Sequence, residues 1–155
     1  MPDNWADKFK KKLQEKEQAS QENTKSAKTY QDATTKLFDH IEKKIKEIGM
    51  IAVTKNGLPM KSLHLKCQDK LLSFIPEGVN VDSSRGRIRV KHNCKNLSQF
   101  IYLNMMIDPK SAAAYPDNLM WVINWNGTLE DVKLDTLPEF KNDQLERLIE
   151  VCFVE

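Results

Sequence analysis

The sequence predicts an α+β domain: an N-terminal helix, an antiparallel sheet of about five to seven short strands built from hairpins, and a C-terminal helix packed on the sheet. Three observations predict it. Apolar residues recur at helical spacing near both ends of the chain. Between the ends they alternate with a period of two, and turn residues break the alternation at short intervals. Short hairpins make neighbouring strands antiparallel, and the terminal helices then have one apolar sheet face to cover. A chain of 155 residues, 40% hydrophobic and 30% charged, buries about two-thirds of its unfolded surface, enough for a real core.

Residues 5–48 carry a helical pattern in two unequal parts. Trp5, Phe9 and Leu13 form a short apolar stripe beside Lys8, Lys10, Lys11 and Lys12. From Gln14 to Thr29 no apolar side chain exceeds alanine, so that stretch has nothing with which to enter a core. The stripe resumes with Tyr30, Ala33, Leu37, Ile41, Ile45 and Ile48, widened by Phe38, and Gly49 is a natural stop. The expected organisation is a polar helical arm over residues 1–28, ordered or flexible, and a single α+β domain over residues 29–155.

The middle of the chain reads as strands. Ile51 to Thr54 is β-prone and leads to Asn56-Gly57, a two-residue hairpin signal, although Pro59 in the return arm weakens it. Leu63, Leu65 and Cys67 alternate with His64 and Lys66, and Gln68-Asp69 is a turn candidate before Leu71 to Ile75. After a loop with Pro76, Gly78 and then Ser83-Ser84-Arg85-Gly86 comes the clearest strand. Ile88, Val90, His92 and Cys94 share one face, and Arg87, Arg89, Lys91 and Asn93 share the other. Residues 97–107 fit a strand or a short helix equally.

Trp121 to Trp125, the turn Asn126-Gly127 and a return through Leu129, Val132 and Leu134 suggest a second hairpin. Thr136 and Glu139 form a capping-box pattern with Pro138 in the first turn, ahead of a helix whose apolar face is Phe140, Leu145, Leu148, Ile149 and Cys152.

Charge is sorted along the chain. Residues 51–110 hold ten basic and four acidic side chains, whereas residues 111–155 hold three basic and nine acidic. Such asymmetry bears on partners and association rather than on fold. Much of the basic excess lies on one face of one strand and its preceding turn: Arg85, Arg87, Arg89 and Lys91, with Lys66 nearby. Alternate strand residues stand about 6.6–6.8 Å apart, a spacing like that of successive phosphates. Stacking aromatics are not interleaved, however, and an outward sheet face is commonly charged for solubility. The acids Glu130, Asp131 and Asp135 fit a solvated turn and a helix start.

His64, Cys67, His92 and Cys94 are weak candidates for a zinc site. His64 and Cys67 point to opposite faces of a regular strand, and no Cys-x2-Cys spacing accompanies them. Small buried reduced thiols suit Cys67, Cys94 and Cys152 better. No cofactor is expected. There is no nucleophile elbow and no phosphate-cradling glycine loop, so no residue nominates itself as catalytic.

No apolar run approaches the roughly 18 residues that span a bilayer, and the first residues lack a signal-peptide layout, so the cytoplasm is expected and a membrane is not. The expected role is non-catalytic protein–protein contact of an inhibitor, immunity or adaptor type. The basic strand would meet a protein with an acidic surface, and Trp5, Phe9 and Leu13 would serve assembly, including self-association. The alternative is a nucleic-acid-binding accessory protein using the same basic face. An enzyme without a recognisable motif is third.

Overall fold

A computed structural model describes residues 4–57, 60–79, 85–115, 117–127 and 133–154, with backbone alone over 18–26. Helix α1 (Trp5–Ile48) runs unbroken for 44 residues, about 66 Å at 1.5 Å per residue. Gly49 ends it in the left-handed conformation at φ 77°, its N–H bonded to the Ile45 carbonyl. Strands β1 (Ala52–Asn56), β2 (Ser62–Cys67), β3 (Lys70–Gly78), β4 (Gly86–His92), β5 (Ile101–Ile107) and β6 (Leu119–Asn124) follow, then α2 (Asn142–Phe153). The six strands lie in sequence order and every neighbouring pair is antiparallel.

Both helices cover one face of this sheet. Leu63, Leu65, Leu72, Phe74, Ile88, Val90, Ile101, Leu103 and Ile123 point inward and are fully buried. They meet Phe38, Ile41 and Ile45 of α1 and Leu145, Leu148, Ile149 and Cys152 of α2. Each large side chain so buried contributes about 1.5–3 kcal/mol relative to exposure. Polar ties join the layers at their margins. His40 bonds Asn142, Lys44 pairs with Glu146, and Lys55 turns inward from β1 to Asp39 and Glu42.

The buried line of α1 differs from the stripe read in the sequence. It runs through Tyr30, Thr34, Phe38, Ile41 and Ile45. Ala33 and Leu37 flank it half-buried, and Ile48 is exposed at the rim of a groove shared with Cys67 and Ile149.

The turn Gln68-Asp69 closes the β2–β3 hairpin with Cys67 opposite Lys70, and Gln68 accepts φ 56° to do so. The β1–β2 hairpin exists, but not on a two-residue turn. Asn56 pairs with Ser62, so residues 57–61 form the connection, with Pro59 outside the described residues. Residues 101–107 are strand, their inward side chains fully used by the core.

Three further expectations are corrected. Leu129, Val132, Glu130 and Asp131 lie outside the described residues, but Leu134 is in a 3-10 turn (Leu134–Thr136), not a returning strand. The capping box does not form either. Phe140 N–H donates to the Trp121 carbonyl and Ile123 N–H to the Pro138 carbonyl, so residues 138–140 run extended along β6. Those bonds and the burial of Phe140 outweigh a local cap worth about 1 kcal/mol. Helix α2 starts later, after Lys141. Finally, Cys94 and Cys152 are not separate thiols. The inward face of β4 continues to Cys94, α2 brings Cys152 to it, and the two are joined as a disulfide across 58 residues, leaving Cys67 free.

Candidate contact surfaces

The outward face of the sheet is built from the residues between the core positions. Across it run the row Thr54, His64, Ser73 and Lys91 and the row Ile75, Arg89, Tyr102 and Asn124. His64 bonds both Asn56 and Ser73. Pro76 and Gly78, expected in a loop, belong to β3 instead, because a bulge between them lets the ladder continue and puts Glu77 outside it. From there Glu77 accepts a hydrogen bond from Arg87 Nε at 2.7 Å. The Arg87 guanidinium lies over the Tyr102 ring, 4.4 Å from its centre. Arg85, just before β4, lies over Tyr115 at 5.2 Å.

Arg89 is half-buried between Ile75 and Tyr102, its Nε without a partner among the described residues. Lys91 and Lys66 are exposed, across from Ser73 and Leu71. The structure therefore keeps Arg87, Arg89 and Lys91 on one face, as the alternation requires, but occupies Arg87 and Arg85 with Glu77 and aromatic rings. Sequence gave no sign of this, since it depends on a bulge and on two rings from distant segments.

The weak metal candidates are dispersed. His64 faces outward and is taken by Asn56 and Ser73. His92 faces inward: its Nδ1 accepts the Cys94 N–H at 3.0 Å, which leaves Nε2 to donate to the Ser98 carbonyl at 2.7 Å. Cys94 is in the disulfide, and Cys67 borders a groove with Met50, Ile149 and Phe153. Among the described residues no three His, Cys, Asp or Glu side chains are grouped to hold a metal ion.

The second surface is the projecting half of α1. Trp5, Phe9 and Leu13 are 64%, 46% and 49% exposed, and the first two rings stack with centroids 5.2 Å apart. At 100° per residue this ridge centres about 20° from the buried line Tyr30, Thr34, Phe38, Ile41 and Ile45. On a regular helix the aromatic ridge thus points to the side on which the sheet lies, about 25–37 Å of helix before Tyr30. Lys8, Lys12 and Lys16, all exposed, form a second ridge about 60° round the helix and parallel to the first.

Tyr30 fixes where the overhang begins. Its hydroxyl donates to the Arg87 carbonyl at 2.7 Å and accepts the Gly78 N–H at 3.3 Å. Its ring fills the space a Cβ on Gly86 would take, with ring carbons 2.2 and 2.7 Å away. Burial raises the Tyr30 hydroxyl above its usual value, against the pull of its hydrogen bonds, so it stays a donor. No known protein-family model, curated protein or solved structure matches the chain.

Proposed function

We propose that the protein is non-catalytic and acts by protein–protein contact with an acidic partner, in an inhibitor, immunity or adaptor role. The observation that carries this is the solvent-exposed Trp5, Phe9 and Leu13 ridge on a helix whose same side is core-forming further along. Monomeric surfaces rarely hold large aromatic side chains together in solvent unless something else covers them. Lys66, Arg89 and Lys91 on the outward sheet face supply positive potential that would speed encounter with an acidic surface.

The alternative, nucleic acid along β4, is supported by the same cations. It is weakened by Glu77 on Arg87, which would have to be displaced for a phosphate to bind there. The test compares wild type with Trp5→Ser/Phe9→Ser/Leu13→Ser and with Arg89→Glu/Lys91→Glu in cross-linked extracts. Partners lost by the first variant support this reading, while identical partner sets in all three overturn it. Binding to random DNA with a steep negative salt slope would establish the alternative instead.

Among the described residues no helix is long and apolar enough to cross a membrane. We place the protein's action in the cytoplasm, as the sequence suggests. The Cys94–Cys152 bond pulls the other way, toward an oxidising compartment. Thiol alkylation before cell lysis discriminates: Cys94 and Cys152 trapped as thiols would support the cytoplasm, with the bond closing only on oxidation, whereas a bridge trapped intact would refute the cytoplasmic assignment.

A further inference from the structure

We propose that the overhang of α1 docks an amphipathic, acidic helix of the partner, seated in the step between the overhang and the end of the sheet. This rests on the protein-contact reading above and adds the partner's chemistry and position.

The two ridges define the chemistry. Trp5, Phe9 and Leu13 repeat at four-residue spacing, the interval at which a helix presents a line of knobs to another helix. Lys8, Lys12 and Lys16 repeat at the same spacing along one flank, where a partner helix places its own flanking residues. A complementary helix carries an apolar ridge with Asp or Glu beside it. The opposite flank, with Ala6 and Glu17 beside Lys10, has no such unbroken line of one sign.

The direction of the ridge selects among occupants. Helix axes pack about 8–10 Å apart. A partner helix on the ridge would therefore lie on the sheet side of α1, beyond the sheet end that carries Gly78, Gly86 and the β5–β6 connection. A bilayer cannot use that space. Its plane, laid against Trp5, Phe9 and Leu13, would run on into the strands under residues 30–45, because ridge and buried line share one side of the helix.

A second copy is disfavoured for related reasons. In an antiparallel pair like flanks face each other, setting Lys8, Lys12 and Lys16 against their own copies. In a parallel pair each copy's sheet occupies the side toward which the other helix must come.

The test places a photo-cross-linking residue in the full chain at position 9 or 13, on the ridge, at position 10 or 14, off it, or at position 91, on the sheet. Products are formed in the native host and the joined peptides sequenced. The expected result is a product from positions 9 and 13 and not from 10 and 14, mapped to a segment with helical apolar spacing flanked by Asp or Glu. Its yield should fall at least tenfold in Lys8→Glu/Lys12→Glu/Lys16→Glu and stay unchanged in Lys10→Glu/Lys11→Glu.

Products joining two copies of this chain overturn the inference in favour of self-association. Trp5-dependent pelleting with phosphatidylserine vesicles, without a protein product, overturns it in favour of a membrane. Products from position 91 alone overturn it while leaving protein contact standing. No product at any position removes both.

Discussion

Replacing Gly86 by alanine should destabilise the protein by about 2–4 kcal/mol, although the position is in a strand where alanine is normally the better residue. The added Cβ would meet Tyr30 carbons at 2.2 and 2.7 Å, inside any real contact distance. The ring must retreat by more than 1 Å, on the order of the gap to ordinary contact at about 3.5–4.0 Å. Tyr30 is 2% exposed and packs near Trp121, so it has nowhere free to go. Overpacking of this kind costs about 1–3 kcal/mol. Displacing the hydroxyl also loses its bonds to the Arg87 carbonyl and Gly78 N–H, about 1 kcal/mol each. Restricting the unfolded chain returns about 0.4–1 kcal/mol. With a urea slope of about 2 kcal/mol/M, the midpoint should drop by about 1–2 M. In a Tyr30→Leu background the same substitution should cost little, a coupling of about 2 kcal/mol. A drop below about 0.5 kcal/mol in wild type, or equal costs in both backgrounds, would refute the contact as described.

Two further predictions concern the remaining ties. Lys55 and Lys46 hold the Glu42 carboxyl below its usual value, and Glu42 in turn raises Lys55. A depressed acid stabilises the fold above its unfolded value and loses that contribution as pH falls through the folded one; a raised lysine contributes below its unfolded value and loses it as pH rises through the folded one. The stability difference between wild type and Glu42→Gln should accordingly be level near neutrality, shrink below pH 4.5 and shrink again above pH 10.5; urea midpoints that differ equally across that range would exclude the pair as a contributor. The Cys94–Cys152 bond closes a 58-residue separation, worth about 4 kcal/mol by loop-closure entropy. Unfolding without reductant should expose one titratable thiol, and reductant should lower the urea midpoint; three thiols without reductant would show the bond absent.

The parts of the fold legible in the sequence are those set by neighbours along the chain. Alternation placed Ile88, Val90 and His92 inside and Arg87, Arg89 and Lys91 outside, since successive strand residues can only point to opposite faces. What sequence missed was set by distant contacts. Thr34 belongs to the buried line of α1 because the sheet lies under it, which no helical pattern of apolar residues reports. Thr136 and Glu139 look like a cap until β6 offers residues 138–140 backbone partners. The same holds for the candidate surfaces. The apolar spacing of Trp5, Phe9 and Leu13 was visible, but their exposure, and their alignment with the core side of the same helix, needed a continuous α1. The basic face was visible too, whereas the engagement of Arg87 depended on the β3 bulge.

The overhang and the core depend on each other through that continuous helix. A short polar helix alone is marginal in water, because its first turn fixes several residues for a single hydrogen bond. Residues 30–45 remove that cost: once Tyr30, Phe38, Ile41 and Ile45 are buried, each residue toward the N-terminus adds a hydrogen bond to an existing helix. The direction of Trp5, Phe9 and Leu13 is then inherited from the way residues 30–45 sit on the sheet, with Tyr30 the most N-terminal buried contact of α1 among the described residues. A partner meets a ridge already formed and aimed, so less ordering entropy is spent on binding. Loosening Tyr30 should therefore weaken partner capture even where the domain stays folded, and Gly86→Ala protein at a urea-free, low temperature should cross-link from position 9 less than wild type. Equal yields would mean that the ridge is recognised as a flexible segment rather than as part of a rigid lever.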